Sequence, residues 1–370
     1  MQNFIIKNVV TKDLEAELEK IGFDIAYRAK ATDKYRYKTI KIYNLSLPQA
    51  NILKQTALSL GADCGIHREV LTSKIDSTDA ILGGSFSQLK KICEKLEQQP
   101  FSLKILAKEI QKELAIKNSN TKLVGVINVT PDSFSDGGEF LSEKKAIEQI
   151  YKLIEDGADI IDIGAESTKP LSTPVTAEEQ ITRLKNVLKI VPSLNIPISI
   201  DTRSSEVAKF ALDCGVKIIN DTSGLSYDFK MANLISEYNA TVIIQHSTQK
   251  TEDRPTYKDV VEEVYLHLLK KLDYAQQTGI KNIILDPGIG FGKSQEENFK
   301  ILDRIEEFYS LKNPIMVGIS RKSLLGITTN DNQLKDSLSA AISYPLIQKG
   351  VDYLRVHNVA LHKQLLNLAR

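Results

Sequence analysis

The chain has 370 residues, of which 42% are hydrophobic and 26% are charged, a composition ordinary for a soluble globular protein. The formal net charge of +1 gives no support for a nucleic-acid partner or for a membrane-surface partner. The three cysteines show no CxxC spacing, which favours a reducing, cytoplasmic compartment, and no apolar run reaches the ~18 residues that a membrane span requires.

Residues 1–119 lack the regular alternation of short apolar runs and amphipathic stretches that marks the rest of the chain. They predict a small α/β or α+β domain of unknown role. The predicted helices are 14–22, 48–61, 87–99 and 102–114, and the predicted strands are 38–45 and 79–84. The polar run 116–122 predicts the linker, so residues 120–370 form a second domain.

Eight short apolar runs recur from residue 123 onwards, and amphipathic stretches separate them. The runs are 123–129, 159–164, 196–201, 216–221, 240–246, 282–288, 313–320 and 351–358. The helical stretches are 142–157, 177–191, 204–215, 257–279, 294–308, 333–350 and 359–370. The runs do not alternate cleanly between apolar and polar residues, which indicates parallel strands buried on both faces. Eight such units in roughly 250 residues favour a (β/α)8 TIM barrel over the alternative, a doubly wound open sheet.

Polar residues end nearly all of these runs, where barrel enzymes carry their reactive groups. They are Asn128, Asp201, Asn220, Asp221, Gln245, His246, Asp286, Ser320, Arg321, Lys322, Arg355, His357 and Asn358. Capping or solvation is the commoner role for any single one, and turn chemistry would account for Asp221 with Thr222. A ring of mixed charge around one mouth is better explained as a site.

The polar residues of this ring fall into two groups by charge, with hydrogen-bond acceptors on one side and anion-binding residues on the other. Asp201, Asn220 and Asp286 are hydrogen-bond acceptors that suit the N–H edge of a planar heterocycle. Lys322 suits a carbonyl or ring nitrogen on the other edge of that heterocycle.

On the far side of the ring, Arg355 and His357 follow the eighth strand and suit a phosphate. Asn128, which ends the first strand, is a candidate ligand for a Mg²⁺ that also binds phosphate oxygens. The residues alone therefore indicate a heterocycle linked to a phosphate or diphosphate.

The segment 286–294 contains GxGxG between a strand and a helix. A phosphate cradle is one interpretation, but the spacing is not GxGxxG, and a tight turn that lets a flat ligand approach the backbone is the alternative. Phe291 would either stack on a ring or plug the top of the barrel. Among the histidines, His67, His267 and His362 are interpreted as structural or surface residues, whereas His246 is less certain.

Six ordered segments between residues 123 and 358 together resemble the dihydropteroate synthases, folate-pathway enzymes of the pterin-binding barrel family. They read NVTPDSFSDGG, ESTKP, DTRSSEVAKFALDCGVKIIND, LDPGIGFGK, GISRKSLLG and RVHN. The resemblance implies a transferase that condenses p-aminobenzoate with 6-hydroxymethyl-7,8-dihydropterin diphosphate to give 7,8-dihydropteroate and pyrophosphate.

The resemblance also implies residue roles. The implied pterin contacts are Asp201, Asn220, Asp286 and Lys322. The implied diphosphate contacts are Asn128, Thr168, Arg355 and His357, with Mg²⁺ near Asn128. The implied p-aminobenzoate contacts are Phe134, Lys169, Pro170 and Ser323. Asp136 would stabilise a pterin cation, and it would act in catalysis with Phe134, Lys322, Arg355 and His357. Members of the family commonly dimerise, so a homodimer is a further expectation.

The chain departs from the family pattern at four positions. Lys169 replaces an Arg, Leu171 and Ala165 replace Gly residues, and Asn358 replaces a frequent Asp. We expect these changes to tune affinity and loop motion, because Lys cannot clamp a phosphate with two parallel hydrogen bonds as Arg does. A corrinoid-dependent methyltetrahydrofolate methyltransferase and a catalytically silent pterin-binding protein are the alternatives. The anion-binding residues argue against the first, and the complete polar set argues against the second.

Overall fold

The computed structural model describes residues 6, 7, 9, 14–115, 117, 120–129, 138–166, 175–247, 256–322 and 331–369. The chain divides into two compact units, Met1–Lys117 and Asn118–Arg370. Six predicted site residues lie outside the described residues: Phe134, Asp136, Thr168, Lys169, Pro170 and Ser323.

The first unit is a small α+β domain, as the sequence predicts. Its antiparallel sheet has the order β1-β3-β2, with β1 at Tyr37–Ser46, β2 at Asp63–Ile66 and β3 at Ser77–Ser85. Its helices are α1 (Leu14–Lys20), α2 (Arg28–Tyr35), α3 (Leu47–Ser59), α4 (Phe86–Leu96) and α5 (Leu103–Glu113). Capping boxes fix the starts of α3 and α4, because Ser46 pairs with Gln49 and Ser85 with Gln88. The short elements α2 and β2 were not predicted.

The second unit contains eight parallel strands in the order of a TIM barrel. They are β4 (Lys122–Asn128), β5 (Ile160–Gly164), β6 (Ile198–Asp201), β7 (Ile218–Asp221), β8 (Thr241–Gln245), β9 (Asn282–Asp286), β10 (Met316–Gly318) and β11 (Tyr353–Val356). The order β10-β11-β4-β5-β6-β7-β8-β9 follows the chain around a ring, and a parallel bridge between Leu285 and Ile315 joins its two ends. The predicted (β/α)8 barrel is therefore confirmed.

Helices follow the strands along the chain. They are α6 (Gly138–Glu155), α7 (Ala177–Lys185), α8 (Ser205–Asp213), α9 (Met231–Glu237), α10 (Val260–Gln277), α11 (Gln295–Asp303), α12 (Asn332–Gln348) and α13 (Val359–Leu368). A capping box starts α7, since the Thr176 hydroxyl accepts from the Glu179 N–H. Two predicted helices are shorter than expected and continue as 3-10 turns at 187–193 and 305–311, and α9 was not predicted.

An apolar layer fills the interior of the barrel. It consists of Val124, Ile160, Ile218, Ile243, Ile284 and Met316, with Tyr353 packed against them. Each comes from a different strand, so these side chains can meet only inside the ring. Because the larger apolar cluster lies between strands and helices, the strands are buried on both faces and carry their polar residues at their carboxyl ends.

Candidate functional site

The centre of the candidate site is an arginine held between two carboxylates. Arg355, on β11, donates from Nε to Asp162 Oδ2 at 2.7 Å and from Nη2 to Asp201 Oδ2 at 2.9 Å. The three side chains are almost completely buried, with 16%, 0% and 7% of their surfaces exposed. The arginine was expected on a separate phosphate side of the ring, and instead it reaches across the mouth to the acceptor side.

Asn220, near the end of β7, is hydrogen-bonded to the carboxylate of Asp162. Its Nδ2 donates to Asp162 Oδ2 at 3.0 Å. Within the described residues, Asn220 Oδ1 and Asp162 Oδ1 are buried and have no hydrogen-bond partner. Since buried acceptors are normally satisfied in native proteins, two oxygens are left here for a ligand or for water.

Two carboxyl groups of this pocket, those of Asp201 and Asp286, are difficult to ionise. Burial raises the pKa of Asp201 to about 7, and Arg355 opposes that rise. Burial also raises the pKa of Asp286, against the opposing charge of Lys322. Asp286 Oδ1 accepts from the Gly288 N–H at 2.7 Å, which orients the carboxyl group at the end of β9.

Lys322 lies just beyond the end of β10 and leans towards the β9 loop. Its Nζ donates to the Ile289 carbonyl at 2.5 Å and lies 4.4 Å from the centre of the Phe291 ring. Burial lowers the pKa of Lys322 to about 8, while Asp286 acts in the opposite direction. Phe291 is half-buried and packs against this ammonium group, a contact that neither interpretation from the sequence included.

The GxGxG segment is a tight turn. Gly288, Gly290 and Gly292 have positive φ angles of 69°, 82° and 66°. A Cβ atom added at Gly288 would lie 1.7 Å from the His246 carbonyl oxygen. The glycines are therefore required by backbone conformation and by close approach of the β8 end, as the alternative interpretation expects.

A buried lysine stabilises this turn by donating hydrogen bonds to two of its backbone carbonyls. Lys293 is 5% exposed, and its Nζ donates to the Gly288 carbonyl at 2.9 Å and to the Phe291 carbonyl at 3.1 Å. Burial lowers the pKa of Lys293 to about 7, against the attraction of Asp286. Sequence reasoning did not select Lys293, although a lysine inside the turn was visible in the motif.

His357 is a neutral hydrogen-bonding group in this site. Its Nδ1 lies 3.0 Å from Ser320 Oγ, and its backbone N–H donates to the same oxygen at 3.2 Å. Burial lowers the pKa of His357 to about 3, and the cations Arg321 and Arg355 add to that effect. The imidazole would therefore meet a phosphate as an uncharged donor.

Arg321 is anchored away from the pocket. It forms two parallel hydrogen bonds to Asp336 on α12, both at 2.8 Å, and Asn358 Nδ2 donates to the same carboxylate at 3.3 Å. Asn358 and Arg321 therefore share the carboxylate of Asp336. A cavity of about 510 Å³ lies beside this pair, lined by His357 and by residues of α6 and α13.

Asn128 is the candidate metal ligand at the end of β4. The residue is exposed, and its Oδ1 lies 3.2 Å from the position that a Cβ atom on Gly164 would take. The glycine therefore leaves room for the amide to lie over the neighbouring strand. No cluster of three His, Cys, Asp or Glu side chains suited to a metal occurs within the described ranges.

The histidine at the end of β8 has a packing role. His246 is buried, and its ring meets that of His267 edge to face at 4.8 Å between centroids. Burial lowers the pKa of His246 to about 2, so the ring is neutral.

Asp162 is the site residue that sequence reasoning missed. It lies inside the apolar run IIDIG of β5, not at its end. A charged residue in a strand buried on both faces must be paired, and that rule would have singled it out.

A TIM barrel with a buried pocket of carboxylates, amide, arginine and lysine at its carboxyl mouth defines the class: a barrel enzyme for a polar, planar ligand. A sequence profile described as "Pterin binding enzyme" matches residues 124–357. The chain belongs to the pterin-binding enzyme family.

Relatives agree with this assignment. A bifunctional dihydropteroate synthase/dihydropteroate reductase of Helicobacter pylori is 34% identical over 98% of both chains. A probable bifunctional folylpolyglutamate synthase/dihydropteroate synthase of Haloferax volcanii is 35% identical over 87% of this chain and 42% of its own length. The chain spans about two fifths of the length of the haloarchaeal relatives it matches.

A solved structure shares the barrel. The dihydropteroate synthase of Clostridium difficile, crystallised in the presence of pteroic acid, is 38% identical with a TM-score of 0.64 and covers 69% of this chain and 98% of its own. Among the helices described here, none is long and apolar enough to cross a membrane.

Proposed function

We propose that the chain catalyses the dihydropteroate synthase reaction. The amine of p-aminobenzoate attacks the exocyclic methylene of 6-hydroxymethyl-7,8-dihydropterin diphosphate; the carbon–oxygen bond breaks and pyrophosphate leaves with the electron pair. The observation that carries the proposal is the buried pocket of Asp162, Asp201, Asn220 and Arg355, which leaves acceptor oxygens free for a heterocycle with N–H groups. Residues 120–370 would carry the catalysis.

The pterin would bind to residues on four strands. Asp201, Asn220 and Asp286 would accept from its N–H groups, and Lys322 would donate to its carbonyl or ring nitrogen. Burial lowers the pKa of Lys322 to about 8, so at neutral pH the side chain is still mostly protonated and can donate, and it has already lost much of its hydration before a ligand binds.

The diphosphate would bind beside the pterin, to residues at the ends of β4 and β11 and in the segment after β5. Asn128, Thr168, Arg355 and His357 are the proposed contacts, since they combine a cation with neutral donors. Electrostatic stabilisation of the departing pyrophosphate would then be the main catalytic effect of these residues. A neutral aniline is already nucleophilic at neutral pH, so no strong general base is required.

Mg²⁺ is the proposed cofactor. The exposed amide oxygen of Asn128 is the hard oxygen donor that Mg²⁺ prefers, and diphosphate oxygens would complete its coordination. Bound there, the ion would neutralise charge on the leaving group.

The second substrate would be held by residues of two loops, which follow β4 and β5, and by Ser323, which follows β10. Phe134, Lys169, Pro170 and Ser323 are the proposed p-aminobenzoate contacts, and Asp136 would stabilise positive charge on the pterin. We also expect a cytoplasmic location and a homodimer, by analogy with the family.

The decisive experiment is an assay of pyrophosphate release by the full chain. Release should require both substrates and Mg²⁺, and mass spectrometry should identify dihydropteroate. Absence of product, together with no Mg²⁺-dependent binding of the pterin diphosphate by calorimetry, would contradict the proposal. Methyl transfer from methyltetrahydrofolate to a corrinoid would favour the methyltransferase alternative.

A second candidate activity is reduction of dihydropteroate. The Helicobacter pylori relative, described as a synthase and a dihydropteroate reductase, matches 98% of this chain, including most of Met1–Lys117. Such a reaction adds a hydride and a proton across a carbon–nitrogen double bond. Dihydropteroate-dependent oxidation of NADH or NADPH by the full chain would support it, and no oxidation with either reductant, with or without added flavin, would contradict it.

A further inference from the structure

Asp162 is a buried carboxylate whose two hydrogen-bond donors are both pocket residues. Its Oδ2 accepts from Arg355 Nε at 2.7 Å and from Asn220 Nδ2 at 3.0 Å, and its side chain is 0% exposed. A carboxylate is seldom kept in an apolar strand unless its partners need it. The partners here are the amide and the guanidinium of the proposed pterin pocket.

We propose that Asp162 is a positioning residue that fixes Asn220 as a hydrogen-bond acceptor, so that the pocket selects a heterocycle carrying an amino group over one carrying an oxygen. This inference rests on the proposed function and adds the means by which its pocket distinguishes related ligands. Asp162 acts through Asn220 and Arg355 and does not itself transfer any group.

The argument starts from the two ends of the Asn220 amide. One end, NH₂, can only donate, and the other end, Oδ1, can only accept. Asp162 is an acceptor, so it takes the NH₂ end and leaves Oδ1 facing elsewhere. The reverse orientation would place Oδ1 against a carboxylate oxygen and is therefore disfavoured. Asn220 Oδ1 is one of the buried side-chain atoms that have no partner among the described residues, and Asp162 Oδ1 is another.

The guanidinium of Arg355 makes this arrangement rigid. One cation is shared between Asp162 and Asp201, which lie on neighbouring strands paired at Asp162↔Ser199 and Gly164↔Asp201. Asp162 thus links Asn220 to Arg355, and Arg355 in turn bonds Asp201. An unpartnered acceptor at one end of a rigid, buried network discriminates strongly, because a ligand lacking the matching N–H leaves it unsatisfied.

The test is the substitution Asp162→Asn, which keeps the shape and removes the charge. Binding of 6-hydroxymethylpterin and of 6-hydroxymethyllumazine, in which an oxo group replaces the 2-amino group, is measured by calorimetry. We expect pterin affinity to fall about tenfold or more, while the preference for pterin over lumazine falls at least about fivefold because the amide is free to turn. A preference ratio within about twofold of the wild-type value would overturn the inference.

Asp221→Asn is the matched control. Asp221 follows Asn220 on β7, is 0% exposed, and accepts from Ser223 and Leu225 in the turn beyond the strand. We expect this variant to melt at a lower temperature with an unchanged preference ratio. If Asp221→Asn lowers the ratio as much as Asp162→Asn does, the effect is general loosening and the inference is wrong.

Two further outcomes are decisive. If Asp162→Asn does not fold, Asp162→Leu is used, which is of similar size and offers Asn220 no acceptor, and a retained preference in that variant overturns the inference. If the wild-type chain binds neither compound, the proposed function fails as well; binding with an unaltered ratio in the variants overturns the positioning role alone.

Discussion

Replacing Arg355 by methionine removes the positive charge at the centre of the pocket while keeping most of the side-chain volume. The substitution leaves Asp162 and Asp201 facing each other without the cation that bonds them at 2.7 Å and 2.9 Å. Breaking a buried ion pair by removing one partner costs roughly 3–5 kcal/mol, since the remaining charge is buried and unpaired. We expect a loss of unfolding free energy of this size at pH 8.5.

The loss should depend on pH. A carboxyl group whose folded pKa lies above its unfolded value stabilises the protein at low pH, and this contribution disappears as pH rises through the folded pKa. In the wild type that pKa is about 7 for Asp201, and Arg355 is a factor that lowers it. The variant should therefore keep losing stability above pH 7, by about 1.4 kcal/mol for each pH unit up to its higher pKa. The destabilisation should be smaller at pH 6 than at pH 8.5.

Hydrogen exchange of the barrel strands, read by mass spectrometry, measures this loss in the barrel unit alone. Arg304→Met is the matched control, because Arg304 also binds two carboxylates, Asp259 at 3.0 Å and Glu307 at 2.6 Å, but is 39% exposed. Its loss should be about 0–1 kcal/mol, since exposed ion pairs contribute little. A loss below about 1 kcal/mol for Arg355→Met at pH 8.5 would refute the reasoning, because it would mean that water solvates the two acids.

Four other substitutions test the segments around the pocket. Lys322→Ala should abolish turnover and weaken pterin binding measured by calorimetry, and activity near that of the wild type would contradict its role. Gly288→Ala should destabilise the barrel far more than Gly290→Ala in thermal melts, because the first Cβ would meet a backbone oxygen at 1.7 Å and the second only the flexible Lys322 side chain at 2.9 Å. Lys293→Met should remove part of the pH dependence of the unfolding free energy. Burial lowers the pKa of Lys293 in the folded protein to about 7, so the wild type gains stability as pH rises from about 7 towards the pKa of this lysine in the unfolded chain. Parallel pH–stability curves of wild type and Lys293→Met by urea denaturation would be inconsistent with that account.

The barrel could be predicted from sequence because its strands are buried on both faces. All eight apolar runs correspond to strands, since continuous Val and Ile residues at regular intervals have few other structural explanations. The elements that were missed are short. Helix α9 has seven residues and no side-chain cap at Lys230, and β2 has four residues. Their formation depends on tertiary packing, which leaves little signal in the local sequence.

The composition of the pocket was predictable, but its internal pairing was not. Asp201 and Asp286 end their strands and Asn220 is the penultimate residue of β7, so their positions in the sequence indicate that all three lie near the mouth. The expected division of the ring by sign fails because Arg355 is long enough to cross the mouth, and opposite charges buried together pair with one another. A position at a strand end predicts which side chains lie near one another, whereas the length of each side chain decides which of them form hydrogen bonds.

The guanidinium of Arg355, shared by Asp162 and Asp201, would couple the binding of an anion to the uptake of a proton. An anion that draws Arg355 towards itself weakens the hold of the arginine on Asp201, whose pKa of about 7 then rises. Binding of such an anion at neutral pH would be accompanied by uptake of a proton from the buffer, and by linkage a more acidic medium would tighten its binding. Anion binding at the mouth of this barrel would then depend on pH through the carboxyl group of Asp201, which the anion does not contact.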